Sequence, residues 1–229
     1  MNKKELEKYL LDFDLNNIDS FEHLLKDTLA TNNKFNLTAI KDEEKFRELM
    51  ILDSLYPLHL LDFNDKKVID VGTGGGYPGL PLALASKGEF TLLDSTKKKI
   101  DHINEYVKES HINNVVGVCD RAEEFAKKNI EKYDIAIARA VSSLNILVEI
   151  ILPLLKIGGF FIAMKGLKGK EEIEEAKKAL KELGGEVVEI DEFELPESKE
   201  VRINILIKKI KTSPKKYPRV YKQIIDKPL

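Results

Sequence analysis

The sequence predicts an open, doubly wound α/β sheet that is mostly parallel, with a C-terminal antiparallel edge hairpin and an N-terminal helical extension. The first observation is five short, largely apolar runs, typical of strands buried on both faces: KVIDV (67–71), EFTLLD (89–94), NVVGVC (114–119), YDIAIA (133–138) and GGFFIAMK (158–165). The second is that helical patterns alternate with these runs, near residues 80–87, 96–109, 121–129 and 143–155. The third is that two later strand-like segments, EVVEIDEFEL and VRINILIKK, are joined by the turn-like PESKE.

The first 65 residues contain helical patterns instead of strand-like runs. An apolar helix face extends over residues 6–13 and another over residues 21–29. Asp19 and Glu22 have the spacing of an N-terminal capping box, and a third helical pattern begins at Asp42. We therefore expect three parts: a helical extension packed on the core (1–65), an α/β domain (66–211) and a basic tail (212–229).

The composition is that of a soluble globular protein: 43% of the 229 residues are hydrophobic and 33% are charged. No stretch reaches the roughly 20 apolar residues needed to cross a bilayer, and the charged start MNKKELEKYL differs from a signal peptide. We expect a cytoplasmic monomer without membrane contact. Cys119 is the only cysteine, which excludes an internal disulfide and a multi-cysteine zinc site. We expect its thiol to be buried, and no metal site.

The charge is unevenly distributed along the chain. Residues 208–229 carry eight basic side chains and one acidic side chain, a net charge of +7. The formal net charge of the whole chain is −2, so residues 1–207 have a net charge of −9. A local basic patch of this kind can bind a polyanion even when the whole protein is acidic. A solvated tail is the alternative, and charge alone does not decide between them.

A glycine-rich loop, VIDVGTGGGYPGLPLA (68–83), runs from the first predicted strand into the first helix of the α/β domain. Ligands of open α/β sheets bind beyond the carboxyl ends of the strands. Glycines such as Gly72, Gly74 and Gly76 let the backbone come close to a ligand. Asp94 ends the next strand, 20 residues after Gly74, where an acid can accept both ribose hydroxyl protons. The loop therefore predicts a ligand that contains adenosine.

Three details favour S-adenosylmethionine over a dinucleotide. Asp70 opens the pattern D-x-G-x-G-x-G, and its charge suits a cationic sulfonium better than an anionic pyrophosphate. Pro78 and Pro81 lack N–H groups that a pyrophosphate would use. LLKIGGFFIAMKG resembles the strand-five region of class I methyltransferases. A turn without a ligand and a nicotinamide-linked oxidoreductase remain open alternatives.

Several motifs occur together in one order: FNLTAI, ILDSL, VIDVGTGGGYPGLPLA, TLLDSTKKKIDHI, DRAEEFA, ARAVSSL and the closing YPR…KPL. In this combination the chain resembles the glucose-inhibited division protein B family over residues 36–229. The resemblance implies a Rossmann-like class I methyltransferase domain with S-adenosylmethionine as cofactor. It also implies that 16S ribosomal RNA or the small ribosomal subunit is the partner, and that N7 of a guanine, guanosine 527 at the family level, is the methyl acceptor.

The residues above and the resemblance together predict two sets of contacts. The cofactor set is Asp70, Gly72, Gly74, Gly76, Tyr77, Asp94, Ala122, Glu123 and Arg139. The substrate set is Asn36, Thr38, Asp53, Ser54, Lys165, Tyr217 and Arg219.

Some of these assignments have alternatives. Arg139 interrupts an apolar run, so its guanidinium needs an anionic partner: the cofactor carboxylate, an RNA phosphate or a structural acid such as Asp70. The polar side chains of NLTAI and ILDSL could cap helices instead of contacting substrate, and Tyr77 could pack in the core. Compared with the family, Met50 replaces a histidine and the tail YPRVYKQIIDKPL diverges in sequence, although its basic residues remain.

Guanine N7 has a free lone pair and no proton to remove, so we expect no catalytic residue and a reaction promoted by proximity and alignment. Arg139, Lys165 and Arg219 are the candidates to hold phosphates or the guanine edge, and Tyr77 or Tyr217 could stack on a base. A methyltransferase of a small molecule or protein would share the core without needing the basic tail. A nucleotide-binding module without enzymatic activity is a further alternative.

Overall fold

In the computed structural model, which describes residues 1–32 and 37–229, seven strands form a single sheet with the order β3-β2-β1-β4-β5-β7-β6. The strands are β1 Lys67–Val71, β2 Glu89–Asp94, β3 Val115–Cys119, β4 Tyr133–Arg139, β5 Leu155–Lys165, β6 Gly185–Glu194 and β7 Val201–Lys209. The first five are parallel, and β7 is antiparallel to both β5 and β6. The predicted fold class, with its C-terminal antiparallel hairpin, is confirmed.

Helices surround the sheet on both faces. They are α1 Lys3–Leu11, α2 Ile18–Asn32, α3 Glu43–Phe46, α4 Asp53–Leu55, α5 Gly79–Ala85, α6 Lys97–Glu109, α7 Ala122–Lys128, α8 Leu144–Ile151, α9 Gly169–Leu183 and α10 Tyr221–Asp226. The buried apolar side chains form two clusters, one under α1, α2, α5 and α6, the other under α7, α8, α9 and α10. Two layers of helices on one sheet explain why the central strands are apolar throughout.

The carboxyl ends of the parallel strands meet at one edge of the sheet. Asp94 pairs in register with Cys119, and Arg139 with Met164, so the ends of β2, β3, β4 and β5 lie side by side. The glycine loop leaves β1 at the same edge. Residues far apart in sequence therefore meet where ligands of such sheets bind.

The N-terminal helices differ from the sequence prediction in two details. Asp19 does not cap α2, because the helix already begins at Ile18, and Glu22 instead forms an ion pair with Arg47 at 2.6 Å. The Asp42 side chain does cap α3, accepting from the backbone N–H of Lys45 at 2.9 Å. After α3 the backbone continues as a π-helix over Arg47–Leu52, which the apolar pattern did not indicate.

Strand β3 is not buried on both faces, and the predicted burial of Cys119 is wrong. This strand ends the sheet, so one side has no neighbouring strand. Val116 is 52% exposed, and Cys119 is exposed as a free thiol. An apolar run cannot by itself distinguish an edge strand from a central one.

Both terminal parts pack on the α/β domain. Phe21, Leu25 and Phe46 of the N-terminal part share one buried cluster with β1 and α5, and Ile224 of the tail is fully buried in the other. Within residues 1–32 and 37–229, no helix is both long and apolar enough to cross a membrane.

Candidate active site

Two adjoining cavities open at the carboxyl edge of the sheet. The smaller, of about 400 Å³, includes Asp94, Ala122 and Glu123 in its lining. The larger, of about 790 Å³, includes Asp53, Arg139 and Lys165. Five residues line both cavities: Gly72, Gly74, Ala140, Val141 and Ser142. These volumes are in the usual range for small-ligand sites, about 300–1,000 Å³.

The glycine loop supplies the floor where the cavities meet. Gly72 and Gly74 have φ values of 76° and 60°, a conformation that side chains with a Cβ rarely adopt. A Cβ on Gly72 would also lie 2.5 Å from the Cγ2 of Val141, so Val141 covers Gly72 closely. A Cβ on Gly74 would meet only Lys99 Nζ, at 4.0 Å, so the loop leaves room for a ligand there.

Asp70 supports the loop from beneath and is not among the residues that line either cavity. Its carboxylate is fully buried and accepts from the Thr73 hydroxyl at 2.6 Å and from the Gly79 N–H at 2.9 Å, both at Oδ2. Burial raises the pKa of Asp70 to about 6, although these two hydrogen bonds oppose the rise. Asp70 therefore contacts the glycine loop itself, and its direct contact with the cofactor stays a prediction.

The smaller cavity has the features expected of an adenosine subsite. The half-buried Asp94 accepts the N–H of Gly74 at 3.0 Å and that of Thr96 at 2.8 Å, one on each oxygen, and each oxygen keeps acceptor capacity. Glu123, at the start of α7, is buried and accepts from Arg121 Nε at 3.2 Å. Two carboxylates at the ends of neighbouring strands can thus accept ribose hydroxyl and amino protons.

Gly76 and Tyr77 make close contacts within the protein. A Cβ on Gly76 would lie 2.4 Å from Leu80, so this glycine is required for helix packing. The Tyr77 ring lines the larger cavity, but it is buried, packs edge-on against Phe46 and has its hydroxyl 2.9 Å from the Thr28 hydroxyl. Burial raises the pKa of Tyr77 well above its usual value. The ring therefore joins the N-terminal helices to the loop, as the packing alternative expected.

A shared carboxylate organises the larger cavity. Asp53 Oδ2 accepts from Arg139 Nη1 at 3.2 Å and from Arg202 Nε at 3.1 Å, and its side chain is only 2% exposed. The partner of Arg139 is therefore a structural acid, as one of the three alternatives expected, but it is Asp53 and not Asp70. Burial alone would lower the pKa of Arg202, but the ion pairs with Asp53 and Glu200 outweigh it and raise the pKa. The Arg202 guanidinium therefore stays charged at the cavity wall.

The other predicted substrate residues have protein partners. Lys165 Nζ donates to the Ser142 carbonyl at 2.5 Å and pairs with Glu172 at 2.7 Å, while its side chain still lines the larger cavity. The buried Ser54 hydroxyl donates to the Met50 carbonyl one turn earlier. Thr38 Oγ1 accepts from the N–H of Ile40 at 3.1 Å in a local turn. Asn36 lies outside the described residues.

Sequence comparison assigns the chain to a protein family. The family "GidB: rRNA small subunit methyltransferase G" matches residues 17–201. A ribosomal RNA small subunit methyltransferase G of Alkaliphilus oremlandii is 44% identical over 214 residues, covering 92% of this chain and 88% of the relative. A protein of the same name in Fusobacterium nucleatum is 40% identical over 228 residues, covering 99% and 98%.

The chain belongs to the rRNA small subunit methyltransferase G family.

Solved structures of other methyltransferases share the fold. An S-adenosylmethionine-dependent methyltransferase from Aquifex aeolicus superposes with a TM-score of 0.56 at 17% identity, over 80% of this chain and 98% of that one. M. jannaschii TYW2 in complex with AdoMet also gives 0.56 at 17% identity, over 69% and 74%. The chain is an enzyme of the methyltransferase class with S-adenosylmethionine as its cofactor, as predicted. This excludes the oxidoreductase and the non-enzymatic module.

The tail of this rRNA methyltransferase G family member is docked on the domain. Arg219 donates from Nε and Nη2 to the two oxygens of Glu149, at 2.8 and 2.6 Å, and the Glu149 side chain is fully buried. The Tyr217 hydroxyl donates to Glu182 at 2.6 Å, and its ring is buried. Both side chains thus have partners within the domain, and for Arg219 that partner is a buried carboxylate, which must be paired. Their contacts with RNA stay a prediction.

Sequence reasoning missed Arg202, Glu172, Glu200 and Val141, which all line the cavities. Arg202 begins the inner strand of the hairpin, and its position became apparent only when β7 paired beside β5. A charged residue at the start of an otherwise apolar strand, R-I-N-I-L-I, was the available signal. Val141 gave no signal, since its role depends on how the loop after β4 folds over Gly72.

Proposed function

We propose that the protein methylates N7 of a guanine in 16S ribosomal RNA, with the adenosine of S-adenosylmethionine in the smaller cavity and the target base in the larger one. The observation that carries this proposal is the junction of the two cavities over Gly72 and Gly74. A ligand that extends from one cavity to the other would place its reactive centre at this junction. When bound, S-adenosylmethionine supplies an electrophilic methyl group on its sulfonium.

In the smaller cavity, the chain would hold the cofactor mainly through Asp94 and Glu123. Asp94 is already fixed by two backbone N–H groups, so its spare lone pairs point in a defined direction. Gly74 leaves open space beside it. The fit is to a neutral, hydroxyl-bearing nucleoside, because a pyrophosphate here would face the two carboxylates.

In the larger cavity, every acidic side chain that the structure describes is ion-paired, which supports methyl transfer to an acceptor atom that does not have to be deprotonated. Every carboxylate among the described lining residues has a basic partner: Asp53 with Arg139 and Arg202, Glu172 with Lys165, and Glu200 with Arg202. No histidine or cysteine occurs among the residues that the structure places in this lining. An ion-paired carboxylate is a poor general base, so alignment is the contribution that this cavity can make.

Arg139 and Arg202 are the groups best placed to hold RNA. Both have side chains that are partly exposed at the cavity, 15% and 19%, and Asp53 fixes their positions. Guanidinium groups recognise phosphate oxygens and the guanine edge. Lys165 is expected to contribute less to RNA binding than the two arginines, since its amine already has two protein partners.

The test incubates the purified protein with labelled S-adenosylmethionine and undermethylated small ribosomal subunits, and maps the modified base. We expect label at N7 of one guanine of 16S rRNA. Asp94→Ala should raise the KM for S-adenosylmethionine, whereas Arg202→Ala should raise the KM for the subunits. Glu189→Ala, at an exposed acid of the outer strand β6, is the matched control. Label on a small molecule, a protein or a base atom other than N7 would refute the assignment.

A further inference from the structure

One wall of the smaller cavity comes from the C-terminal tail. Tyr221, the first residue of α10, lines this cavity together with Asp94, Ala122 and Glu123. We propose that Tyr221, held by Arg121, forms the outer wall of the adenosine subsite, so that the tail binds the cofactor. This inference rests on the proposed position of adenosine in the smaller cavity.

The tail on both sides of Tyr221 is anchored. Two residues before it, Arg219 is bound through two hydrogen bonds to the buried Glu149. Three residues after it, Ile224 is fully buried in the cluster around α8. Helix α8 contributes Ile146, Leu147 and Ile150 to the same cavity. The position of Tyr221 is therefore set by buried contacts of its neighbours, although the residue itself is 41% exposed.

Arg121 orients the tyrosine ring. Its guanidinium lies over the ring, 4.4 Å from the centroid, and its Nε donates to Glu123 Oε1 at 3.2 Å. Such a cation–π contact holds a ring in one orientation. A connected series of side chains thus extends from the tail to Glu123 in the cavity lining: Tyr221 contacts Arg121, and Arg121 contacts Glu123.

This arrangement suits adenine. The base is a flat aromatic group, and aromatic rings pack on one another in offset-stacked or edge-on geometry. The carboxylates that would accept polar protons lie at Asp94 and Glu123, and the apolar side chains of α8 line the same cavity. A tyrosine wall would complete the enclosure of the base.

The experiment is calorimetric titration of the full-length protein with S-adenosylhomocysteine and, separately, with 5′-methylthioadenosine, which lacks the amino acid end. We expect Tyr221→Ala and Arg121→Ala each to weaken both ligands about fivefold. Tyr221→Phe should stay within about twofold of the wild type, because the ring remains. Ile225→Ala, equally exposed on the same helix, is the control and should bind as the wild type does.

Asp94→Ala separates this inference from the proposed site. If Asp94→Ala binds both ligands with wild-type affinity, the position of adenosine is wrong. If Asp94→Ala loses affinity while Tyr221→Ala and Arg121→Ala do not, the site stands and the role of Tyr221 is refuted. Thermal melting of each free variant checks the fold, and Tyr221→Trp, which keeps an aromatic face, provides a second variant should the alanine variant unfold. If Tyr221→Trp keeps its affinity for both ligands, the role of Tyr221 as the outer wall is supported. If it loses as much affinity as is expected of Tyr221→Ala, that role is refuted.

Discussion

Replacing Arg219 with alanine tests whether the basic tail is a structural element. In the structure the Arg219 side chain donates two charge-assisted hydrogen bonds to Glu149, and its backbone N–H donates a third at 3.1 Å. The alanine variant keeps only the third. Glu149 has a fully buried side chain, so its carboxylate would remain buried without a counter-charge.

The size of the effect follows from this burial. Removing one partner of a buried ion pair costs about 3–5 kcal/mol, because the remaining charge is desolvated and unpaired. Arg219 itself is 22% exposed, so the lower half of this range is the better expectation. For a protein of this length, about 3 kcal/mol corresponds to a fall in Tm of roughly 6–12 °C. Replacing both partners, Arg219→Met with Glu149→Leu, should recover most of the loss, since no buried charge remains.

The assay is equilibrium unfolding in denaturant, followed by circular dichroism, for the wild type, both variants and Lys222→Ala. Lys222 is an exposed lysine of the same tail, and its removal should change stability by less than about 0.5 kcal/mol. The reasoning is refuted if Arg219→Ala unfolds at the wild-type denaturant concentration. If that variant also binds 16S rRNA more weakly, with a salt slope reduced by about 1, Arg219 would be a phosphate contact after all.

Three further predictions concern buried charges. Burial raises the pKa of Asp70 to about 6 from 3.8, so the folded state binds the proton more tightly and stability is lost as the pH rises from about 4 to 6. Asp70→Asn should lack this loss in denaturant unfolding, and it should weaken binding of S-adenosylmethionine more than binding of S-adenosylhomocysteine, which lacks the sulfonium charge. Burial lowers the pKa of Lys209 to about 8 from 10.5, so the unfolded state binds more protons than the folded state between about pH 8 and 10.5. The stability of the wild type relative to Lys209→Met should therefore increase as the pH rises through this range. A constant difference in stability across the range would contradict this. Asp53→Asn should destabilise the protein by about 3 kcal/mol, the lower end of the cost of breaking a buried ion pair, because both arginines are partly exposed. It should also raise the KM for RNA, since Arg139 and Arg202 lose their shared partner; unchanged stability and KM would show that the carboxylate does not organise the cavity.

The strands were predictable because each is a short apolar run bounded by turn residues, and the glycine loop located the ligand edge of the sheet. Local sequence contains these signals. It does not contain the position of a strand within the sheet, which is why NVVGVC was expected to be buried when β3 lies at the edge. The order of strands depends on helix packing across the whole domain.

The site was predictable in the same measure. Asp94 and Glu123 line the smaller cavity because both follow strand ends, a feature visible in the sequence. The partner of Arg139 was not predictable, since Asp53 lies 86 residues earlier in an N-terminal helix and meets it only through tertiary packing. Arg202 reaches the same carboxylate from the hairpin, 149 residues away. The spacing of residues along the sequence cannot predict an ion pair whose two partners lie on different helices or strands.

The pairing at the larger cavity also bears on how one site can receive two oppositely charged ligands. Its described lining contains three basic side chains and three acidic ones: Arg139, Lys165 and Arg202 with Asp53, Glu172 and Glu200. Unpaired guanidiniums here would repel a sulfonium bound at the junction, and the repulsion would be stronger in a partly buried cavity than in water. With each positive charge offset by a neighbouring carboxylate, a sulfonium could approach as proposed, and the guanidinium edges would still be able to donate hydrogen bonds to RNA. We therefore infer that long-range attraction of RNA originates in basic surface outside this cavity, and that the cavity contributes alignment.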